Sequence, residues 1–97
     1  MATFRLSSQA QTDIHLIFDY IASRHPQAAE EWVDGVVLKL ELLGAHPFIG
    51  RVIDWGGPET RMIAHDNWLV FYRAEEKGIL VLRAIDGRRD LSKIKLT

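Results

Sequence analysis

The sequence predicts an α+β domain in which an αα-hairpin packs on one face of a mainly antiparallel sheet. Two stretches with apolar residues at helical spacing come first, and only a short break at Pro26 separates them. Two apolar runs, 68–74 and 79–85, then flank the polar segment 75–78, which is typical of a β-hairpin. Short strand-like segments before the helices and before the hairpin complete the order β-α-α-β-β-β.

The composition is that of one globular domain over residues 1–97. The chain is 47% hydrophobic and 26% charged, and its 97 residues suffice for a single modest core. It has no Cys, which excludes disulfides and thiolate metal sites. Its four His residues have spacings that match no compact ligand set, so we predict neither a metal nor a cofactor.

The N-terminus and the hydropathy pattern indicate a protein of the cytoplasm. The first residues lack the apolar core and small-residue cleavage site of a signal peptide. No apolar stretch approaches the ~20 residues that a membrane-spanning helix needs. We therefore expect no membrane association.

The first strand and the first helix are predicted before Pro26. Residues 3–7 alternate apolar and polar side chains, which indicates a short strand. Ser7 or Ser8 is then placed to cap a helix. The helix is expected to end near residue 24, because a proline disfavours helical geometry in the residue before it. Five residues form its predicted apolar face: Ala10, Ile14, Ile17, Phe18 and Ile21.

The second helix is predicted to begin at Pro26 and to be closed by Gly44. Proline suits the first turn of a helix, and glycine is favoured just past its last turn. The loop between the helices is very short, so they are expected to form an antiparallel αα-hairpin. The predicted apolar face recurs over about four turns and consists of Ala29, Trp32, Val33, Val36, Leu40 and Leu43.

A loop and a strand are predicted between the second helix and the hairpin. Residues 46–59 are rich in Pro and Gly, which favours a connecting loop. A strand is predicted over 60–64, and a polar turn over 65–67. The apolar residues of the loop are expected to pack it onto the body of the domain; they are Phe48, Ile49, Val52, Ile53 and Trp55.

The hairpin turn at 75–78 predicts how the last two strands pair. It places Tyr72 opposite Val81 and Val70 opposite Arg83. Because side chains alternate between the two faces of a strand, a slip of one residue would reverse the assignment of every face. The face expected to meet the helices consists of Leu69, Phe71, Arg73, Leu80, Leu82 and Ala84.

The opposite face of the hairpin is expected to stay exposed unless a partner covers it. It carries Trp68, Tyr72 and Arg83. Guanidinium groups are costly to bury without a partner. Arg83 is therefore either an anchor for an acidic or phosphate group of another molecule or one half of an internal ion pair. Three internal partners are open on the sequence: Asp86, Asp66 and Glu59.

The charge distribution argues against binding nucleic acid by bulk electrostatics. The net charge is −1, whereas proteins of that kind usually have a strong basic excess. Only the end of the chain is basic, because residues 83–95 contain five basic residues and two acidic ones. We therefore expect no strong nucleic-acid binding by the chain alone.

The chain resembles the ParE/RelE superfamily of toxins from bacterial type II toxin–antitoxin pairs. The resemblance begins with LSSQAQTDIHLIFDYIA at residues 6–22 and continues with HPFIGR at 46–51, where the superfamily typically has a Pro-x-x-Gly-Arg-like segment. It ends with FYRAEEKGILVLRAIDGRRD at residues 71–90, and Arg61 falls at the usual Arg before the hairpin. The tail has no Tyr or His for acid–base chemistry, so the chain is more similar to the ParE branch.

The resemblance to ParE implies a toxin that poisons DNA gyrase by binding it, not an enzyme. It also implies that the chain belongs to a plasmid-stabilisation module. In such a module the toxin would form a hetero-oligomer with a ParD-like antitoxin. The candidates for the toxic surface are Arg61, Trp68, Tyr72, Arg83, Arg88 and Arg89. The candidates for antitoxin binding are Phe18, Trp32, Trp68 and Tyr72.

Two alternative functions stay open on the sequence. The first is a RelE-like, ribosome-dependent mRNA endoribonuclease in which Arg61 and Arg83 stabilise the charge on phosphate. The second is a member without toxicity that acts only in complex with its antitoxin. If Arg83 belongs to a toxic surface, Arg83→Ala should abolish growth arrest while the chain stays folded. An unfolded variant would instead identify Arg83 as structural.

Overall fold

The computed structural model describes residues 4–55 and 57–87, and it contains two helices packed on a five-stranded sheet. The strand order is β1-β5-β4-β3-β2, with β1 parallel to β5 and every other pair antiparallel. This confirms the predicted α+β class. None of the helices in the described residues is long and apolar enough to span a membrane. The elements are β1 (Phe4–Leu6), α1 (Ser8–Ala22), α2 (Pro26–Ala45), β2 (Arg51–Val52), β3 (Arg61–His65), β4 (Trp68–Glu75) and β5 (Gly78–Asp86).

Both helices form where the apolar periodicity predicts them. Ser7 caps α1, because its hydroxyl accepts a hydrogen bond from the Ala10 N–H at 3.0 Å. The prediction that Gly44 closes α2 is wrong, since the helix continues past it. His46 is the capping residue, and its N–H donates to the carbonyl of Leu42. Its φ of −134° is open to any residue, so this end of the helix does not require a glycine.

Strand β2 lies in the segment that the sequence predicts to be a loop throughout. Arg51 pairs with Met62 and Val52 with Arg61, which places β2 at one edge of the sheet. A strand of two residues between prolines and glycines is too short to show an alternating pattern. The remainder of the 46–59 segment forms turns and irregular structure, as predicted, over the residues that the structure describes.

A β-bulge in the hairpin changes the predicted register. Next to the turn the pairing is as predicted, but Val70 lies opposite Ala84, and the predicted pairing with Arg83 is wrong. The reason is that Leu82 and Arg83 share the place opposite Phe71, which is one residue too many for a regular ladder. The alternation of side chains in β5 therefore shifts by one residue beyond the bulge.

The start of α1 supplies hydrogen bonds to β5 where β1 ends. The Ser7 hydroxyl donates to the carbonyl of Leu82 at 2.9 Å. The Asp13 carboxylate accepts from the N–H of Ala84 at 3.0 Å. Backbone groups of the bulged stretch thus obtain partners that a neighbouring strand would otherwise provide.

The helices cover the sheet face that was predicted to be exposed. Val70, Tyr72 and Val81 are buried against α1 and α2, and the opposite face is covered in part by Trp55, whose ring is 4.6 Å from that of Phe71. The predicted assignment of the two faces is therefore wrong between the turn and the bulge, whereas beyond the bulge Ala84 packs against the helices as predicted. Both faces are apolar in sequence, so hydrophobicity alone could not decide between them.

Candidate functional site

The loop that follows α2 is fixed by a buried tyrosine. The side chain of Tyr72 in β4 has no exposed surface. Its hydroxyl donates to the carbonyl of Pro47 and accepts from the N–H of Gly50, both at 2.8 Å. One hydroxyl in the core thus holds both ends of residues 47–50, which we call the anchored loop. This polar requirement explains why Tyr72 points toward the helical side of the sheet.

Arg61 holds the same loop from the neighbouring strand. Its Nη1 donates to the carbonyls of Phe48 and Gly50, at 3.2 and 2.7 Å. Its guanidinium also lies over the Phe48 ring, 5.0 Å from the ring centroid. Arg61 is the cross-strand partner of Tyr72, so the two side chains act on the loop from adjacent positions. The arginine thus acts here as a positioning residue.

The anchored loop and β2 present large apolar side chains to solvent. Phe48 is 71% exposed, and Ile49 and Val52 are each 53% exposed. We call these three residues the loop surface. Several hydrogen bonds fix the backbone here, while phenylalanine and isoleucine side chains stay exposed. This combination is typical of a protein-binding surface. The prediction that these three residues pack onto the body is therefore wrong, whereas Ile53 and Trp55 do pack there.

Tyr72 makes stability depend on pH in the alkaline range. Burial raises the pKa of Tyr72, and the hydrogen bond from Gly50 and the charge of Arg61 oppose that rise. Between the ordinary pKa near 10 and the raised value, the folded state keeps a proton that the unfolded state loses. The free energy of unfolding should therefore fall as the pH rises above about 10.

Tyr72→Phe should lower the free energy of unfolding by about 1–3 kcal/mol at neutral pH. The variant leaves the Gly50 N–H and the Pro47 carbonyl without their buried partner. It should also remove part of the alkaline loss of stability. Urea denaturation at about pH 8 and about pH 11 checks both effects. Tyr20→Phe is the control, because Tyr20 is 51% exposed; an equal effect of the two variants would contradict the assignment.

Arg83 forms an internal ion pair. Its Nε and Nη2 donate to the Asp13 carboxylate at 2.7 and 3.0 Å, and the two side chains are 16% and 12% exposed. The hydrogen bond to Asp13 raises the pKa of Arg83. Sequence reasoning considered nearby acids and missed Asp13, because it is 70 residues away in the chain and lies on α1.

Trp32 and Trp68 meet in a groove where the ends of the helices approach the β3–β4 turn. Their rings are 6.2 Å apart and nearly perpendicular. The groove encloses about 810 Å³, and its wall includes Tyr20, Glu31 and Asp66. We call it the aromatic groove. Trp32 itself is 6% exposed, so it forms the floor of the groove more than its rim.

The structure distributes the predicted site residues over three places. Arg61 and Tyr72 fix the anchored loop, Arg83 pairs with α1, and Trp68 joins Trp32 in the aromatic groove. Tyr72 is buried, so its predicted exposure is wrong. Three further candidates belong to none of these places. Phe18 is half-buried on α1, and Arg88 and Arg89 lie outside the described residues.

Comparisons with known proteins agree with this fold. A family model described as the ParE toxin of the type II toxin–antitoxin system parDE matches residues 4–91. A solved structure described as a chromosomal ParDE TA system from P. aeruginosa has a TM-score of 0.73 and 22% sequence identity. The match covers 89% of this chain and 96% of that one. The comparison with curated proteins gave no significant match. Because the family model spans most of the chain, the protein belongs to the ParE toxin family of type II toxin–antitoxin systems.

Proposed function

We propose that this chain inhibits DNA gyrase by binding it, blocks replication in the cytoplasm and is neutralised by a ParD-type antitoxin. Membership of the ParE family supports a toxin with an antitoxin partner. The loop surface is the observation that carries the binding mechanism, because Phe48 and Ile49 project from a loop fixed at both ends. Preorganised apolar side chains of this kind give affinity for another protein at low entropic cost.

The contacts of Arg61 and Tyr72 favour binding over RNA cleavage. Cleavage through the 2′-hydroxyl needs a group that removes a proton and a cation that stabilises the charge on phosphate. The Tyr72 hydroxyl is buried and engaged as both donor and acceptor. The Arg61 guanidinium is bonded to two loop carbonyls. Both groups therefore support the loop, and the Tyr72 hydroxyl has no free hydrogen-bonding capacity for a substrate.

Phe48→Asp should abolish growth arrest on induced expression while the chain stays folded. The substitution places a charge at the centre of the loop surface, where a partner would have to desolvate it. Leu16→Asp is the matched control, since Leu16 is 59% exposed on α1 and lies outside the loop surface. We expect growth arrest to persist in that variant. Circular dichroism of both purified variants verifies folding.

The cellular readout separates gyrase from other targets. Relaxed or cleaved DNA with an SOS response in induced cells is the expected result. Rapid mRNA cleavage with intact DNA would contradict the proposal in favour of an endoribonuclease. Unchanged growth under strong induction would equally contradict it, because the chain would then have no toxicity.

A further inference from the structure

The aromatic groove combines aromatic walls with negative charge. Tyr20, Trp32 and Trp68 supply the rings, and Glu31 and Asp66 supply carboxylates. Among the described residues that line it, none is Lys or Arg. The side chain of Asp66 is 70% exposed, and its carboxylate lies 3.9 Å from Nε2 of His65, which also lines the groove. Aromatic faces and carboxylates both attract a cation, which makes a basic side chain the favoured occupant.

A guanidinium already occupies a ring at the edge of this groove. Arg24 lies 4.7 Å from the centroid of the Tyr20 ring, and its Nη1 donates to the Tyr20 hydroxyl at 2.9 Å. This contact comes from α1 and the turn after it, within the same chain. It demonstrates that the exposed tyrosine accepts a cation on its face. Trp68 is the other partly exposed ring of the groove, and its face attracts a cation for the same reason.

A buried donor on the floor of the groove lacks an acceptor. The indole Nε1 of Trp32 has no hydrogen-bond partner among residues 4–55 and 57–87, although the side chain is 6% exposed. A buried N–H without an acceptor costs free energy, so its presence requires an explanation. This nitrogen has almost no accessible surface, so a docked molecule meets the rings and carboxylates of the groove and not the Trp32 N–H.

A second groove continues the first along α1 and β5. Tyr20 and Trp68 line both grooves, and Leu16 and Asp86 extend the wall. The second groove encloses about 190 Å³. Apolar and acidic residues therefore continue past the aromatic groove, and Leu16 is 59% exposed. A continuous path of this kind suits an extended segment with both basic and apolar side chains.

We infer that the aromatic groove receives a lysine or arginine side chain from the toxin-binding segment of the antitoxin. The basic group lies against Trp68 between Glu31 and Asp66, and apolar side chains of the same segment cover Leu16 and Tyr20. This inference rests on the proposed function, because it takes the partner to be the ParD-type antitoxin. It places the antitoxin contact and the loop surface on different elements of the fold.

The double variant Glu31→Gln/Asp66→Asn tests the inference. The probe is the purified antitoxin encoded by the gene next to the gene of this chain. Its binding is measured by calorimetry at low and high salt. We expect Kd to rise about tenfold at low salt and its salt dependence to become weaker. The control Glu41→Gln/Glu76→Gln removes the same charge at two exposed residues outside the groove, and its Kd should be unchanged.

Cells provide an independent readout of the same double variant. Its loop surface is intact, so it should still arrest growth, and the antitoxin should now rescue growth only at higher expression. If the wild-type chain binds the antitoxin tightly and both double variants bind equally well, the inference is wrong and the proposed function stands. If the wild-type chain does not bind the antitoxin at all, the proposed function fails together with the inference.

Discussion

Arg83→Ala should lower the free energy of unfolding by about 3–5 kcal/mol, because it leaves the carboxylate of Asp13 buried without its cation. Asp13 and Arg83 are 12% and 16% exposed, and two hydrogen bonds join them. In a domain of this size the melting temperature should fall by more than roughly 10 °C. Loss of growth arrest in this variant would then reflect loss of the fold, not loss of a toxic surface.

A matched pair on the surface provides the control for this experiment. Arg5 and Glu75 also form an ion pair, but their side chains are 67% and 31% exposed. Exposed pairs contribute little, so Arg5→Ala should melt close to the wild type. Adding Asp13→Ala to Arg83→Ala removes the unpaired charge but also the acceptor of the Ala84 N–H, so the double variant should cost less than the sum of the two single variants. A melting temperature of Arg83→Ala near that of Arg5→Ala would contradict the structural role.

Gly50→Ala should destabilise the fold by about 1–3 kcal/mol and abolish growth arrest. A Cβ at this position would lie 2.4 Å from the Tyr72 hydroxyl, closer than any real contact. Tyr72 is fully buried and cannot turn aside, so the loop has to move. Such a movement would break the bonds that hold the anchored loop and displace Phe48.

Combining this change with Tyr72→Phe tests the stated cause. The hydroxyl is the nearest atom to the added Cβ, although ring carbons at 2.8 and 2.9 Å still crowd it. Gly50→Ala should therefore cost less free energy in the Tyr72→Phe background than in the wild type. Urea denaturation of the four proteins measures this coupling. Equal costs in the two backgrounds would show that the clash with Tyr72 is not the reason.

The helices and the hairpin turn could be predicted because local patterns specify them. Apolar residues at helical spacing mark the buried sides of α1 and α2, and the turn at 75–78 is a local signal. The bulge at Leu82 and the choice of sheet face depend on contacts between distant segments. Ser7 and Asp13 form hydrogen bonds with the backbone of β5 around that bulge. The sequence near residue 82 contains no signal that predicts these distant partners.

In the candidate site, too, residue types could be read from the sequence, whereas contacts between distant segments could not. The sequence predicts Arg61 and Tyr72 to be part of a functional surface, yet both hold the backbone of a loop that lies more than ten residues away in sequence. Because Phe48 and Ile49 are apolar, the sequence predicts that they pack onto the domain. Their exposure follows from the way the loop is fixed, which only the fold reveals. Residue type alone makes Trp32 and Trp68 candidates for partner binding, and the fold brings them together.

The central claim is that this chain acts by binding gyrase through a preorganised loop surface. DNA supercoiling by purified gyrase, measured with increasing amounts of the purified chain, tests it most directly. We expect the wild-type chain to inhibit supercoiling or to trap cleaved DNA, Leu16→Asp to act equally, and Phe48→Asp to have no effect. The contradicting result would be full supercoiling at a large excess of the wild-type chain, although expression of the same chain arrests growth in cells.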